Sequence, residues 1–529
     1  MKMSTKVALI AFLWIAAINT GTINADANLR LQMTHAWLTG TEEVSRDYLP
    51  DSRAGYFAVV NGVGGRRYVP FDLGQSMLML PGDWLGTQLH QWFPKVGERD
   101  FRGLVVNLTI FVPLNVAAVV ACFWLLRVFE FNERIAGLTS IAWLLGTTVL
   151  HYAQVPQQNN QLLLFTTIAY AAALACVKRG NPRFAMLSGL ALGAAFLIRF
   201  TSFIHVFTVS IFLAGCMAYQ SRDKLKVLKV LGFLIVGFMP LALVERVFTY
   251  IRYGSFWTSG QSFAIAQLYA DPMWSALPEV PANYPFNNPP HVGILGVLFS
   301  PAKSIFIYDP LLLPCLVLGI VLWKKLSPYI QWYLVCGIFN LCLHIVATSR
   351  LDFWSGGAAW AARYQVTSVH LLLIPLLAMF LGRFLSARGL TVWLMRGLLT
   401  VAIFVQIASI ILVFSLESAQ DLFVAPQSSH LQFHLGQRVT NIVCQINSYL
   451  SNSSFAERCV SGDISKLPPT QRFFLKDRHQ VALLPFNYVR FGFNRKWAFI
   501  VWGAVLTLAI GTTLWLCFSQ QGKTSSFIQ

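Results

Sequence analysis

The chain has 529 residues, 56% of them hydrophobic and only 12% charged, with a mean hydropathy of +0.57. Soluble domains are about a quarter charged, so a water-soluble globular class is excluded and an all-α integral membrane protein is indicated. The excess of 40 Lys and Arg over 22 Asp and Glu, a formal +18, is read as membrane topology before nucleic-acid binding.

Apolar runs of about 17–23 residues, each able to cross a hydrocarbon core about 30 Å thick as a helix, recur from end to end. The first, Val7 to Ile23, follows Lys2 and Lys6, which places the N-terminus in the cytoplasm and Ala25 outside. Its rival reading is a signal peptide cleaved after Ala25, with Ile23-Asn24-Ala25 a poor site because Ile23 stands where a small residue is preferred. Further spans read as Leu104–Leu126, Gly137–Tyr152, Gln161–Val177, Phe184–Arg199, Phe203–Tyr219, Leu228–Val244, Ile305–Leu322, Tyr329–Ala347, Tyr364–Leu381, Leu390–Phe414 and Trp497–Phe518. That gives a bundle of about 12 transmembrane helices with both termini in the cytoplasm.

The short connections on the cytoplasmic side, Arg127–Arg134, Lys178–Arg183, Arg222–Lys229, Lys324–Lys325 and Arg383–Arg388, are all basic, whereas the opposite turn Gln154–Asn160 carries no charge. Four outward segments are long or polar: Asn24–Arg102, Glu245–Ser304, Thr348–Arg363 and Ser415–Lys496. The expected organisation is a membrane core over 1–415, an outer loop region over 416–496, and a last span with a short tail over 497–529. Long outer loops on a rigid scaffold put recognition or chemistry at the outer face. No internal repeat of the transporter kind is visible.

The outer segments carry Arg30, Arg46, Arg53, Arg66, Arg67, Lys303, Arg350 and Arg363, a cationic set suited to a lipid phosphate. Asp26 is the first acid after the first helix, and Arg30 follows four residues later, on the same face if 26–38 is helical. With Leu29, Met33, Ala36 and Trp37 on a neighbouring face, this stretch reads as an amphipathic helix lying in the interface. Arg199 interrupts the apolar run 194–207, where a charge is costly unless it is paired or faces a cavity. Tyr56, Tyr68, Trp84, Trp257, Trp354 and Trp360 could stack on a sugar or anchor the interface. His35, His90, His151, His291 and His344 show no ligand spacing, and nine Cys make no CxxC; no metal or other cofactor is expected, although a divalent ion at Asp26 stays open.

Three stretches in order carry a resemblance. Asp26-Ala27-Asn28-Leu29-Arg30 followed by Gly62-Val63-Gly64-Gly65-Arg66-Arg67-Tyr68-Val69-Pro70-Phe71-Asp72-Leu73-Gly74-Gln75-Ser76 resembles the first outer loop of GT-C membrane glycosyltransferases, the superfamily of protein O-mannosyltransferases and aminoarabinose transferases. Gly296-Val297-Leu298-Phe299-Ser300-Pro301-Ala302-Lys303 with Tyr308-Asp309-Pro310 is similar to a GLLFSPxK…YxP element of bacterial members. Trp354-Ser355-Gly356-Gly357-Ala358-Ala359-Trp360-Ala361-Ala362-Arg363-Tyr364 is similar to their W-x-G-G-x-x-W-x-x-R-[YF] element. Two departures stand out: Asp26 is followed by Ala27 where many members have a second acid, and Ala361-Ala362 replace a common Gly-Pro. Nothing after about Arg388 fits the pattern, and that region contains Cys444 and Cys459, outside the membrane, where a disulfide can form.

The resemblance implies a GT-C-like bundle with a long first outer loop and transfer of a sugar from a polyprenyl-phosphate carrier to an acceptor glycan, lipid or protein. It implies an enzyme of the cell envelope, in a bacterial inner membrane with the site facing outward and no nucleic-acid partner. Asp26 would be the catalytic base. Lys303, Arg363, Arg350 and Arg199 would hold the donor phosphate, with Arg30, Tyr68, Asp72 and Gln75 as first-loop motif residues. A phosphate is a good leaving group, so one base with cations can suffice, unlike the paired carboxylates of glycosidases. The competing readings are a secondary transporter or lipid-linked-sugar flippase, and a non-catalytic assembly subunit. The missing repeats, the long first loop and the near absence of acids at span centres count against a transporter.

Overall fold

The computed structural model describes residues 2–23, 25–45, 58–221, 223–270, 283–357, 359–414, 431–453 and 480–518, with single positions at 416, 417, 420, 455 and 459. Arg46, Arg53 and Tyr56 lie outside the described residues. The chain is helical almost throughout; the described strands, β1 (Val60–Asn61) and β2 (Arg67–Tyr68), form one small antiparallel hairpin. Among the described residues, eight helices are long and apolar enough to cross a membrane, and four shorter apolar helices of 10–17 residues join them.

Helix α1 (Met3–Ile18) is part of the bundle, with Val7, Ile10, Ala11 and Ile15 buried. It is followed by α2 (Ala25–Thr39), α3 (Leu73–His90), and α4 (Glu98–Val106) joined through a π-helical turn at Asn107–Phe111 to α5 (Val112–Val128). Next come α6 (Glu133–Leu145), α7 (Val149–Gln154), α8 (Asn159–Arg179), α9 (Arg183–Ile198), α10 (Phe203–Gln220) and α11 (Lys224–Tyr253). After α12 (Gly260–Ala270) follow α13 (Pro290–Phe299), α14 (Ile305–Tyr308), α15 (Leu312–Val321), α16 (Pro328–Ser349), α17 (Val366–Ser386) and α18 (Leu390–Ile411). The last described helices are α19 (His434–Ser451) and α20 (Arg495–Phe518).

The core lies along α17, in which every residue from Val366 to Leu381 is buried. A helix apolar on all sides is stable only when neighbours surround it. At the other extreme, α20 buries only Ala509 and Leu516, as expected of a span that faces lipid over most of its surface. Helices α9 and α11 approach closely because Gly189 and Gly237 face backbone: a Cβ on either would run into the carbonyl of Leu234 or of Met186.

Contacts sort the connections onto two faces. Lys178 pairs with Glu130 at 2.7 Å and lies 5.5 Å over the Tyr329 ring, so the basic turns after α5, α8 and α15 share one face. Lys6 sits 4.3 Å over Trp515, while Trp502 at the other end of α20 donates to the Ala17 carbonyl; α1 and α20 are therefore antiparallel. On the opposite, loop face described parts of the long segments meet: Gln267 donates to the Asn61 carbonyl at 2.6 Å and Arg490 to Asp100 at 2.5 Å.

Two expected spans are broken. Gly137–Tyr152 divides into α6 and α7 at Gly146–Thr148, and Ile305–Leu322 divides into α14 and α15 at Asp309. The breaks satisfy each other. The Thr148 amide donates to Asp309 Oδ1 at 2.7 Å, its hydroxyl donates to Asp309 Oδ2, and His370 Nε2 lies 3.2 Å from Oδ1. Helix ends freed inside a membrane must find partners, and one buried carboxylate serves here. Helix α2 also differs from the expected interfacial helix. Ala27 and Leu31 pack on Met79, Val106 and Phe111, while Met33 packs with Val44, Val59 and Val69. Its apolar residues meet protein on two sides, because the hairpin loop folds over the face that would otherwise meet lipid.

Replacing Asp309 by Ala leaves the Thr148 amide and hydroxyl without their acceptor. The expected loss is about 3 kcal/mol of stability, the scale of a buried charged hydrogen-bond partner. Thermal unfolding in detergent should show a clearly lowered midpoint, and an unchanged midpoint would contradict the clamp.

Candidate active site on the loop face

Asp26 sits in the first turn of α2, which is fixed to α3 by packing and by hydrogen bonds. Thr34 donates to the Ser76 carbonyl at 3.1 Å, Ser76 donates to the Arg30 carbonyl at 3.1 Å, and His35 meets Asp83 at 3.0 Å. Asp83 in turn accepts from Arg102 at 2.7 Å, which ties in α4. With α2 held, the Asp26 carboxylate faces Arg363, whose Nη1 donates to Oδ2 at 3.3 Å. The pair is open to approach: the Asp26 side chain is 40% exposed and that of Arg363 22%.

Arg363 is placed by the loop between α16 and α17. Gly356 and Gly357 have φ of 75° and 64°, and a Cβ on Gly356 would lie 2.8 Å from the Arg363 Cβ. Ala361 also adopts a left-handed φ, of 58°, which costs an L-residue about 1–2 kcal/mol. This is one of the positions where the resembled element commonly has glycine. Hydrogen bonds hold the strained loop: Lys303, buried to 2% exposure, donates to the Gly357 carbonyl at 2.7 Å and the Ala359 carbonyl at 2.5 Å. Asn159 donates to the Arg363 carbonyl at 3.1 Å.

Arg199 stands where α9 ends, and its guanidinium is carried by two amides: Nε donates to Gln158 Oε1 at 3.0 Å and Nη2 to Asn159 Oδ1 at 3.3 Å. Arg30 is 4% exposed and stacks 3.9 Å over Phe71, and its Nε has no hydrogen-bond acceptor among the described residues. Burial lowers the Arg30 pKa to about 10, against the opposing pull of Asp26 and Asp72. Burial and then Arg363 do the same to Arg199, also to about 10. Asp72 accepts from the Phe200 amide at 3.0 Å; burial raises its pKa, against that hydrogen bond and the Arg30 charge. Arg30, Arg199 and Arg363 thus share one electrostatic environment with Asp26 and Asp72, and Arg246 and Glu245 also act on or through Asp72.

The other expected site residues are placed differently. Arg350 donates to the Phe286 carbonyl at 3.3 Å. Lys303 directs its ammonium at carbonyls of the Arg363 loop, in a supporting position. Tyr68 lies in the hairpin, its ring 6.2 Å from that of Tyr253 at the end of α11. Gln75 is buried and donates to the Pro156 carbonyl at 2.9 Å. Of the aromatic candidates, Trp354 and Trp360 are buried packing residues, whereas Trp84 and Trp257 are exposed. Among the described residues no three His, Cys, Asp or Glu side chains gather as a metal would require.

The residues missed from the sequence are Gln154, Gln157, Gln158, Asn159, Asn160 and Gln161. The turn expected at the surface is buried at every one of these positions. Gln154 donates to the carbonyls of Ile18 and Ile410 at 2.9 and 2.7 Å, and Asn160 donates to Asn115 at 2.8 Å. The available signal was six amide side chains within eight positions and no charge.

Residues 89–243 match the family model of dolichyl-phosphate-mannose-protein mannosyltransferase. No curated protein sequence matches. Among solved structures, the oligosaccharyltransferase of Archaeoglobus fulgidus, tethered by a disulfide to an acceptor peptide containing the NVT sequon, aligns at 11% identity with a TM-score of 0.39 over 81% of this chain. The chain spans 59% of the length of that structure's chain.

The Arg363 loop yields a paired expectation. Gly356→Ala should lower the unfolding midpoint, because it adds a Cβ against Arg363 at a left-handed φ, at a cost of about 1–2 kcal/mol or more. Ala361→Gly should leave the midpoint equal or raise it by up to about 1 kcal/mol equivalent, since it removes strain. Thermal unfolding of both variants checks this, and the reverse order would contradict the strained-loop account.

Proposed function

We propose, from the premise that this chain is a membrane glycosyltransferase of the GT-C superfamily, that it transfers a sugar from a polyprenyl-phosphate carrier to an acceptor on the outer face of the membrane. The observation that carries this reading is the convergence of Arg30, Arg199 and Arg363 beside Asp26, with Arg30 buried and its Nε without a hydrogen-bond acceptor among the described residues. Buried cations in a membrane protein need an anion, and with Asp26 paired to Arg363, Arg30 and Arg199 have no carboxylate within ion-pair distance among the described residues.

A donor phosphate entering this site finds the planar donors of Arg363 and Arg30, which suit two-point recognition of phosphate oxygens. It competes with Asp26 for Arg363, and so frees the carboxylate as the donor binds. Asp26 then accepts the proton of the acceptor hydroxyl or amine as that atom attacks the anomeric carbon. The bond from that carbon to the phosphate oxygen breaks, and the charge left on the carrier phosphate rests on the arginines. Lys303 contributes by holding the loop that presents Arg363. No metal enters this scheme, and the sugar and the acceptor are set by groups outside the charged cluster.

Asp26→Asn is expected to lower turnover by about 10²- to 10⁴-fold, the usual range for a lost general base. Donor affinity should be unchanged or higher, because a competing anion has been removed. Arg363→Ala is expected to weaken donor binding about ten- to a hundredfold, from loss of charged hydrogen bonds worth about 1.5–3 kcal/mol. Titration of a polyprenyl-phosphate sugar into nanodiscs, with single-turnover rates, separates the two effects. Near-normal turnover in Asp26→Asn, or unchanged donor affinity in Arg363→Ala, would refute the assignment.

A further inference from the structure

We propose that helix α19 lies in the loop-side membrane interface with its outward face in lipid, making this helix a membrane-seated brace for the Arg363 loop. The helix is amphipathic in the reverse of the sense expected for a solvated domain. Its inward residues His434, Arg438, Asn441, Gln445 and Ser448 are all buried. Its outward face carries an apolar stripe, with Val443 55%, Ile446 53% and Leu450 81% exposed at the i, i+3, i+7 spacing of one helix face, beside exposed Thr440 and Asn447.

The inward face is committed by hydrogen bonds, so the helix cannot roll its apolar stripe inward. Arg438 pairs with Glu417 and donates to the carbonyls of Leu412 and Val413 at 2.8 and 3.2 Å, where it caps the C-terminal end of α18. Asn441 donates to Glu417 at 3.1 Å and to Gln420 at 2.8 Å. Gln445 accepts the Gln480 amide at 2.9 Å, and a disulfide from Cys444 to Cys459 staples the same turn.

One end of the helix packs against a cluster that includes a residue of α18, and the other is linked to α20 through Phe486. Leu435 packs against a buried cluster made of Tyr308, Trp360, Ala361 and Val405. Val405 is six residues before the end of α18, or about 9 Å at the helical rise. At the other end, Tyr449 lies 6.4 Å from Phe486, which lies 5.0 Å from Phe499, four residues or about 6 Å inside α20. A helix with one end against a cluster at that depth and the other linked through Phe486 to a residue at similar depth runs along the membrane plane, at the level where interfacial helices seat their apolar faces, about 5–10 Å into the headgroup boundary. Its one Arg is buried, so the outward face presents apolar area with uncharged Thr440 and Asn447 and no cation, and neutral and anionic lipids should serve equally. The brace reaches the site through Trp360, which lies beneath Arg438 at 5.4 Å and three residues before Arg363.

The test is spin labelling of the full chain in nanodiscs, in a Cys342→Ser, Cys517→Ser background. Labels at Ile446→Cys and Leu450→Cys are compared with Phe404→Cys on α18, 54% exposed, and Lys95→Cys in an exposed turn. Collisions with oxygen should exceed those with a water-soluble nickel complex at 446 and 450, as at 404, in phosphatidylcholine with or without phosphatidylglycerol. A dominant nickel signal as at 95, meaning a water-facing helix, would overturn the proposal. So would low collision with both probes, meaning that a second copy or a partner protein covers the face. Because an added cysteine can disturb the native bridge, a photoreactive amino acid at Leu450 provides a second measurement: adducts with lipid are expected, and adducts with protein alone or with nothing would reject the interface placement.

Discussion

The site depends on a turn of amide side chains that the fold removes from solvent. Six amides between Gln154 and Gln161 are buried, and their hydrogen bonds run to parts of the chain that are distant in sequence. Gln158 and Asn159 carry the Arg199 guanidinium, Asn159 also holds the Arg363 backbone, and Gln154 bridges the ends of α1 and α18. Amides suit this task in a membrane protein, since each both donates and accepts without burying a net charge. A carboxylate in their place would neutralise the arginines it positions; a hydroxyl would be too short to span the gaps.

Around that turn the charges are arranged so that attraction remains available for a ligand. Asp26 is paired with Arg363, yet Arg30 makes a ring contact and its Nε has no hydrogen-bond acceptor among the described residues. Taking a guanidinium out of water is expensive, and its retention in that state is reasonable where a substrate anion completes it. The backbone shows the same pattern: the Arg363 loop contains a left-handed Ala361, held by Lys303 and Asn159 at carbonyls on either side of it. Strain of this kind persists only when the surroundings fix the conformation, and it concentrates at functional loops.

Much of the helical bundle was legible in the sequence because the apolar runs are long and the basic turns lie on one face. The helix carrying Asp26 and Arg30 was visible in its spacing, and the association of Asp26 with Arg363 was approached through the motif resemblance. What was not legible depended on partners far away in the chain. The run 137–152 gives no sign that it breaks at Thr148, because the carboxylate that accepts its freed groups is Asp309, itself inside another apolar run. The amide turn looked like solvent-facing polarity, since composition cannot distinguish amides that meet water from amides that meet carbonyls. Lys303 looked like a phosphate ligand for a similar reason: a lysine beside a membrane suggests an anion, whereas here its ammonium is directed at the carbonyls of Gly357 and Ala359.

The central claim is that the three arginines beside Asp26 form a phosphate site whose ligand replaces part of the Asp26–Arg363 contact. Its most direct test is a cryo-electron microscopy structure of the full chain in nanodiscs with a polyprenyl phosphate. The account predicts phosphate density within hydrogen-bond distance of Arg363 and Arg30, with the 3.3 Å Asp26–Arg363 contact lengthened or broken. A phosphate bound elsewhere on the molecule, with that contact intact and Arg30 still stacked alone on Phe71, would contradict it.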